Sequence, residues 1–144
     1  MLVRHAEKGV LPPSDPELTE EGGRRARALA RRLSDADIRH VITSPFTRTI
    51  ETARPLADSL GIEPEVIPIA PDLSAHIRAV AEAVRAEPPG EAVLVVGHAN
   101  TIPAIVGLLG GPELDELSEE DYDELFILVL GPDDRAQIVR AAFY

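Results

Sequence analysis

Ala92-Val93-Leu94-Val95-Val96 is apolar at every position and runs straight into Gly97-His98-Ala99-Asn100. A run with no polar alternation suits a strand buried on both faces, as in the middle of a parallel sheet. Its end is unusual for such a strand, because a histidine and an asparagine follow at once. From Thr101 a helix is expected. Pro103 is tolerated only near that helix's first turn, and Gly110-Gly111-Pro112 terminates it.

Working outward, strand-like and helix-like stretches alternate. Leu2-Val3 reads as a short strand entering Arg4-His5-Ala6-Glu7-Lys8, and Gly9 to Pro16 reads as a proline-rich loop. Thr19 is a suitable N-cap, with Glu20 and Glu21 in a favourable first turn. Ala26, Leu29, Ala30 and Leu33 then recur at helical spacing. His40 to Thr43 is a buried strand broken by Ser44-Pro45, and the next helix carries Ile50, Ala53, Ala57 and Leu60 on one face and ends at Gly61. Glu65 to Ile69 is a strand. Ser74 caps a helix bearing Ile77, Val80, Ala81 and Val84, and Pro88-Pro89-Gly90 closes it. Beyond the central strand, the acidic stretch Leu114 to Glu124 reads as a solvated loop or short helix. Leu125–Leu130 and Ala136–Phe143 form a closing hairpin around Gly131-Pro132-Asp133-Asp134. The expected fold class is α/β: a three-layer α/β/α sandwich with a mostly parallel central sheet and an antiparallel edge hairpin, in one domain over residues 1–144.

Composition narrows the function. The chain has 144 residues, a 44% hydrophobic fraction and no cysteine. Disulfides and thiolate zinc sites are thereby excluded. A net charge of −11 repels nucleic acid and anionic membranes, so neither is an expected partner. No apolar run reaches the ~20 residues of a membrane span. Only Leu2 and Val3 precede Arg4 in the first strand, so that strand is expected to fray. The expected location is the cytoplasm unless an upstream segment encodes export.

Three strand ends carry polar motifs: Arg4-His5, Ser44-Pro45-Phe46-Thr47-Arg48 and Gly97-His98. Open α/β sheets bind ligands beyond the carboxyl ends of their strands. If these strands are parallel neighbours, two arginines and two histidines meet on one rim. Guanidinium forks match phosphate oxygens and do not titrate. Helix N-termini after Pro45 and Asn100 add backbone donors. A neutral, oriented histidine is a competent nucleophile toward phosphorus. Taken singly, each of these residues reads as structural, and His40 and His76 have no comparable context. A metal held by the histidines is the chemical rival, but fixed positive charge beside His5 disfavours a cation.

At these residues the chain resembles the histidine phosphatase superfamily, the phosphoglycerate-mutase-like family. Leu2-Val3-Arg4-His5-Ala6-Glu7 is similar to its LVRHxE signature, Ser44 to Ala53 to SPxxRTxETA, Val96 to Asn100 to VxGHxN, and Leu18-Thr19-Glu20-Glu21-Gly22 to LTxxG. The resemblance implies phosphoryl transfer to His5 and hydrolysis of the phosphohistidine by water, with no cofactor or metal. Arg4 and Arg48 hold phosphate oxygens, His98 hydrogen-bonds the transferring group, and Ser44 and Asn100 join the substrate contacts. The family's usual acid positions hold Ala75 and Ala99, which leaves Glu7, Asp72 and His76 as candidate proton donors. The short stretch from Ala53 to Ala92 resembles compact, SixA-like members and argues against a mutase with a large cap. The implied function is a phosphatase acting on a phosphorylated small molecule or phosphoprotein. Alternatives are a phosphohistidine protein phosphatase and a non-catalytic phosphate- or phosphoprotein-binding module.

Overall fold

A computed structural model describes residues 1–144. The elements run β1 (Leu2–Arg4), α1 (Glu20–Arg32), β2 (Ile38–Thr43), α2 (Thr47–Leu60), β3 (Glu65–Val66), α3 (Leu73–Ala86), β4 (Ala92–Gly97), α4 (Thr101–Leu108), β5 (Glu124–Leu130) and β6 (Ala136–Ala142). They form one six-stranded sheet in the order β3-β2-β4-β1-β5-β6. The first four of these strands are mutually parallel, and the β5–β6 hairpin adds antiparallel pairing at one edge.

Alternation along the strands splits the core in two. Leu2, Ile42, Val93, Val95 and Phe126 meet Val80 and Ala81 of α3 and Ile102, Ile105 and Val106 of α4. Val3, Val41, Leu94, Val96 and Leu125 meet Leu29 and Leu33 from the α1 side and Ala53 and Leu56 of α2. The result is the three-layer sandwich, with α1 and α2 packed together on one face and α3 and α4 on the other. No helix is long and apolar enough to cross a membrane.

Local chemistry sets the helix ends. Thr19 Oγ1 accepts from the Gly22 amide at 3.0 Å, with Glu20 and Glu21 in the first turn and Arg31 and Arg32 in the last. Gly61 ends α2 in the left-handed region, φ 67°.

Several elements differ from the sequence reading. β1 is short but not frayed: Leu2 and Val3 are buried between β4 and β5, where Val3 pairs with Val96 on one side and Leu125 on the other. β3 stops at Val66, because Pro68 has no N–H to continue the ladder. α3 is capped by Asp72 rather than Ser74, its Oδ1 accepting from the Ala75 amide at 2.8 Å. The buried stripe of α2 is Thr49, Thr52, Ala53, Leu56 and Ala57, with Ile50 and Leu60 only half-buried. Leu114 to Glu124 is not a helix. Leu114 and Leu117 pack on the α4-side core, and the Leu117 amide donates to the Ala99 carbonyl at 3.2 Å. This anchored segment crosses the rim where the strand ends meet.

Gly22 binds α1 to that rim, since a Cβ there would collide with the Glu7 carbonyl oxygen. Removing the cap with Thr19→Ala should cost about 1 kcal/mol. Gly22→Ala should destabilise more than Thr19→Ala in urea unfolding, although alanine is the better helix former by about 1 kcal/mol. A Gly22→Ala protein more stable than the parent would show that the Glu7 loop moves freely.

Candidate active site

β2, β4 and β1 are parallel neighbours, so their three carboxyl ends deliver Ser44, His98 and Arg4-His5 to one rim. Arg4, His5, Ser44 and His98 are all buried there. Arg48, in the first turn of α2, joins them.

The His5 ring lies 5.4 Å from the His98 ring, edge on. Its Nδ1 is 2.8 Å from the Ala6 carbonyl oxygen. A carbonyl only accepts, so Nδ1 carries the proton and Nε2 keeps its lone pair. The His5 amide donates to the Gly97 carbonyl at 2.9 Å, which fixes the residue to the end of β4. The Ala6 amide donates to Thr52 Oγ1 at 2.9 Å, and that hydroxyl donates to the Arg48 carbonyl at 2.7 Å. Thr52 therefore ties the His5 loop to the helix that carries Arg48.

His98 is held the opposite way round. Arg48 Nη2 approaches its Nδ1 at 3.4 Å, and a guanidinium only donates, so Nδ1 is the acceptor. Its Nε2 is 2.8 Å from Ser44 Oγ, which is 2.9 Å from Thr49 Oγ1, which is 2.8 Å from the Phe46 carbonyl oxygen. The terminal carbonyl orders the protons: Thr49 donates to it, Ser44 donates to Thr49, and His98 Nε2–H donates to Ser44. This hydroxyl chain agrees with the tautomer that Arg48 imposes.

Burial lowers the His5 pKa to about 4, with Arg48, Arg4 and Lys8 adding to the effect against the Ala6 hydrogen bond. Burial also lowers His98 to about 3, helped by His5, Arg48, His76 and Arg4. Both rings are neutral near pH 7. The Nε groups of Arg4 and Arg48 are buried with no hydrogen-bond partner. Buried donors of this kind are normally satisfied, so two N–H groups of this rim lack an acceptor within the protein.

Carboxylates brace the site from outside. Asp15 accepts from the amide and hydroxyl of Thr47 at 2.9 and 2.7 Å, pinning the Gly9–Pro16 loop to the start of α2. Glu51 accepts from the Leu18 amide at 2.7 Å. Thr47, Thr49, Glu51 and Thr52 stand within the Ser44–Ala53 motif but carried no assigned role in the sequence reading, and Asp15 stood there only as part of a loop. The available signal was the placement of polar residues in Thr-Arg-Thr-Ile-Glu-Thr on the inward face of α2.

The three acid candidates are occupied. Glu7 makes a two-pronged ion pair with Arg25, at 2.7 to 2.9 Å. Asp72 caps α3 in an exposed position. His76 is buried, and its Nδ1–H donates to the Ile67 carbonyl at 3.1 Å. It also contributes to lowering the His98 pKa. Asn100 stands exposed at the start of α4 and makes no side-chain cap bond. His40 lies between Glu65 and Glu87 at 2.8 and 2.7 Å, away from this group.

The family model of the histidine phosphatase superfamily (branch 1) matches residues 1–69, which include Arg4, His5, Ser44 and Arg48. A probable phosphoglycerate mutase, GpmB, of Serratia proteamaculans is 41% identical over 68 residues, 43% of this chain and 32% of its own. The corresponding protein of Enterobacter sp. is 40% identical over the same shares. The chain thus spans about a third of these curated relatives. Among solved structures, the protein histidine phosphatase SixA complexed with tungstate superposes with TM-score 0.72 at 20% identity, over 98% of this chain and 94% of that one. Bacillus stearothermophilus YhfR gives 0.74 at 17%, over 96% and 93%. A mycobacterial glucosyl-3-phosphoglycerate phosphatase with inorganic phosphate gives 0.71 at 22%, over 99% and 94%. At these identities the superpositions establish the fold.

The hydrogen bonds assign tautomers that ¹⁵N spectroscopy can read. His5 should be protonated at Nδ1 and His98 at Nε2, and Ser44→Ala should leave that His98 tautomer in the majority, because Arg48 Nη2 still faces Nδ1. Neither ring should gain a proton until the pH falls to about 4. An unfolded histidine titrates near 6.5, so below about that pH the unfolded chain binds protons that the folded chain refuses. This contribution to stability should therefore be complete above about pH 6.5 and decline as the pH drops. A urea midpoint that rises on acidification from neutrality would contradict buried neutral imidazoles.

Proposed function

We propose that this chain, which belongs to the histidine phosphatase superfamily, is a metal-independent phosphatase, one domain over residues 1–144, that works through a phosphohistidine on His5. The observation that carries this reading is the Nδ1–H of His5 bonded to the Ala6 carbonyl, which leaves Nε2 a neutral lone pair in the field of Arg4 and Arg48.

The chemistry proceeds in two displacements. Nε2 of His5 attacks phosphorus while the bond from phosphorus to the leaving oxygen or nitrogen breaks. The positive charge that develops on the ring is shared with the Ala6 carbonyl through Nδ1–H. Arg4 and Arg48 hold the equatorial oxygens, where charge accumulates in the transition state. Water then attacks phospho-His5, releases phosphate and restores the neutral ring. His98 Nδ1 accepts from Arg48 Nη2 in the resting site, and it becomes an acceptor for that water or for a protonated phosphoryl oxygen once Arg48 turns to the substrate. Ser44 fixes the orientation of His98, and Asn100 lies at the substrate's edge. Two guanidinium groups supply the positive charge that a metal provides elsewhere, and they oppose entry of a cation.

One observation favours substrates with good leaving groups. Glu7 is spent on Arg25 and Asp72 on the cap of α3. A positioned general acid contributes roughly 10²–10⁴-fold, which matters most when an alkoxide departs. Aryl phosphates and phosphohistidine release their leaving groups without such help, which supports a phosphohistidine or phosphotyrosine polypeptide, or another aryl ester, over an alkyl ester.

Rapid acid quench with a labelled aryl phosphate should trap a phosphoenzyme in the wild type and none in His5→Ala. The variant should lose on the order of 10³–10⁶ in kcat while staying folded. Wild-type turnover in His5→Ala would sink the proposal. Dialysis against EDTA should leave the rate unchanged. Rates across a substrate series should fall steeply as leaving-group pKa rises, and fast hydrolysis of a simple alkyl phosphate would reveal a proton donor outside Glu7 and Asp72.

A further inference from the structure

The segment from Leu114 to Glu124, anchored by Leu114 and Leu117, places three of its members on one guanidinium. Arg4 Nη1 donates to the Ser118 carbonyl at 2.6 Å. Glu119 Oε2 stands 3.8 Å from Arg4 Nη2. The Tyr122 ring lies 4.3 Å from the Arg4 guanidinium carbon and 6.4 Å from the His5 ring. Arg4 is 4% exposed, yet its Nε–H has no partner.

A guanidinium offers its N–H groups as a fixed planar fork. Ser118 takes one Nη1 hydrogen and Tyr122 covers a face, so the edge from the buried Nε to Nη2 is the one still lacking a hydrogen-bonded acceptor, with Glu119 at its outer end. A phosphoryl group that satisfies the buried Nε through this edge comes to rest beside the Glu119 carboxylate. Two anions then share Nη2. That juxtaposition is unfavourable unless the substrate brings a cation to pair with Glu119. The same segment extends the negative field away from the site. A cleft of about 500 Å³ begins at Asn100 and runs over Ala104 and Gly107 of α4, edged by Glu113 and Glu116.

From this arrangement we infer that Glu119 is a specificity-determining residue and that the substrate is a phosphorylated polypeptide segment with basic residues flanking the phosphoryl group. The inference rests on the phosphatase reading for its site. It assigns to the acidic segment a task the chemistry of His5 does not require: Glu119 pairs with a flanking lysine or arginine, and the cleft edge carrying Glu113 and Glu116 receives the next one. Substrates whose phosphoryl group is surrounded by further anions are turned away at the same residue.

The test uses the full chain and two phosphotyrosine peptides that differ only in flanking lysines or flanking glutamates. The lysine peptide should show the lower KM. Glu119→Gln should narrow the KM ratio by roughly two- to fivefold, the worth of one exposed ion pair, and Glu119→Lys should narrow it further or reverse it. Glu91→Gln makes the same change of net charge before β4, at the opposite end of that strand, and should leave the ratio intact. Equal KM values in the wild type, or a ratio that survives both Glu119 substitutions, would overturn the inference. Fluorescence anisotropy with labelled forms of the same peptides gives the Kd ratio without turnover. If neither peptide is hydrolysed, the phosphatase reading fails, and the Kd ratio and its response to Glu119→Gln still decide whether Glu119 selects by charge.

Discussion

Two guanidinium groups at one buried rim, with no carboxylate placed between them, are the constraint on which the rest of this structure turns. Like charges in a water-poor setting are costly unless neighbours offset them. Burial and Arg4 both lower the Arg48 pKa, against a favourable contribution from Asp15. The histidines respond by staying neutral, which avoids adding further positive charge. The acidic groups respond by standing outside: Asp15 on Thr47, Glu7 on Arg25, and Glu119 on the outer edge of Arg4. Each is close enough to soften the field and too engaged or too peripheral to fill the space between the arginines. The space is therefore positive, and an anion is the species that relieves it.

Holding that space open takes hydrogen bonds rather than bulk. The chain Arg48–His98–Ser44–Thr49–Phe46 fixes one imidazole, and the Ala6 carbonyl fixes the other in the opposite tautomer. Thr52 links the two halves through the Ala6 amide and the Arg48 carbonyl. Behind them, Arg25 lies between Glu7 and the C-terminal tyrosine, with its guanidinium carbon 4.3 Å from the Tyr144 ring centre. The loop after β1 is thus tied to α1, α2 and the chain's last residue. A nucleophile must hold its angle to phosphorus through a displacement, and loops restrained on every side meet that requirement.

The parts of this arrangement that follow from strand topology were readable from residues alone. An apolar strand ending in Gly97-His98 and a second ending in Ser44 imply a shared rim once the strands are parallel neighbours, and β2, β4 and β1 are. What escaped notice depends on contacts between distant segments. Asp15 and Thr47 are separated by 32 positions and Arg4 and Ser118 by 114, so no local pattern joins them. Thr49 and Thr52 were hidden for another reason: the apolar spacing of α2 pointed to Ile50 and Leu60, but a threonine is buried when its hydroxyl has a partner. Leu114 to Glu124 read as solvated because its acidic residues outnumber its leucines. Leu114 and Leu117 were the informative residues, since two apolar side chains suffice to anchor a loop whose charges remain in water.

The fate of Asp72 shows how fold and chemistry compete for one side chain. At the head of α3 a carboxylate gains the Ala75 amide and the positive end of the helix. Both contacts commit the side chain to the end of the helix, and a carboxyl engaged there is not free to reach a leaving group. Glu7 is committed in the same sense, because both of its oxygens accept from Arg25 in a two-pronged bond. If His5 is the nucleophile we propose, bracing has taken both carboxylates, and the burden of departure passes to the leaving group. Such a site would gain rigidity around His5 and give up reach toward alkyl esters, and the acidic residues beside Arg4 would make its selectivity depend on what surrounds the phosphoryl group.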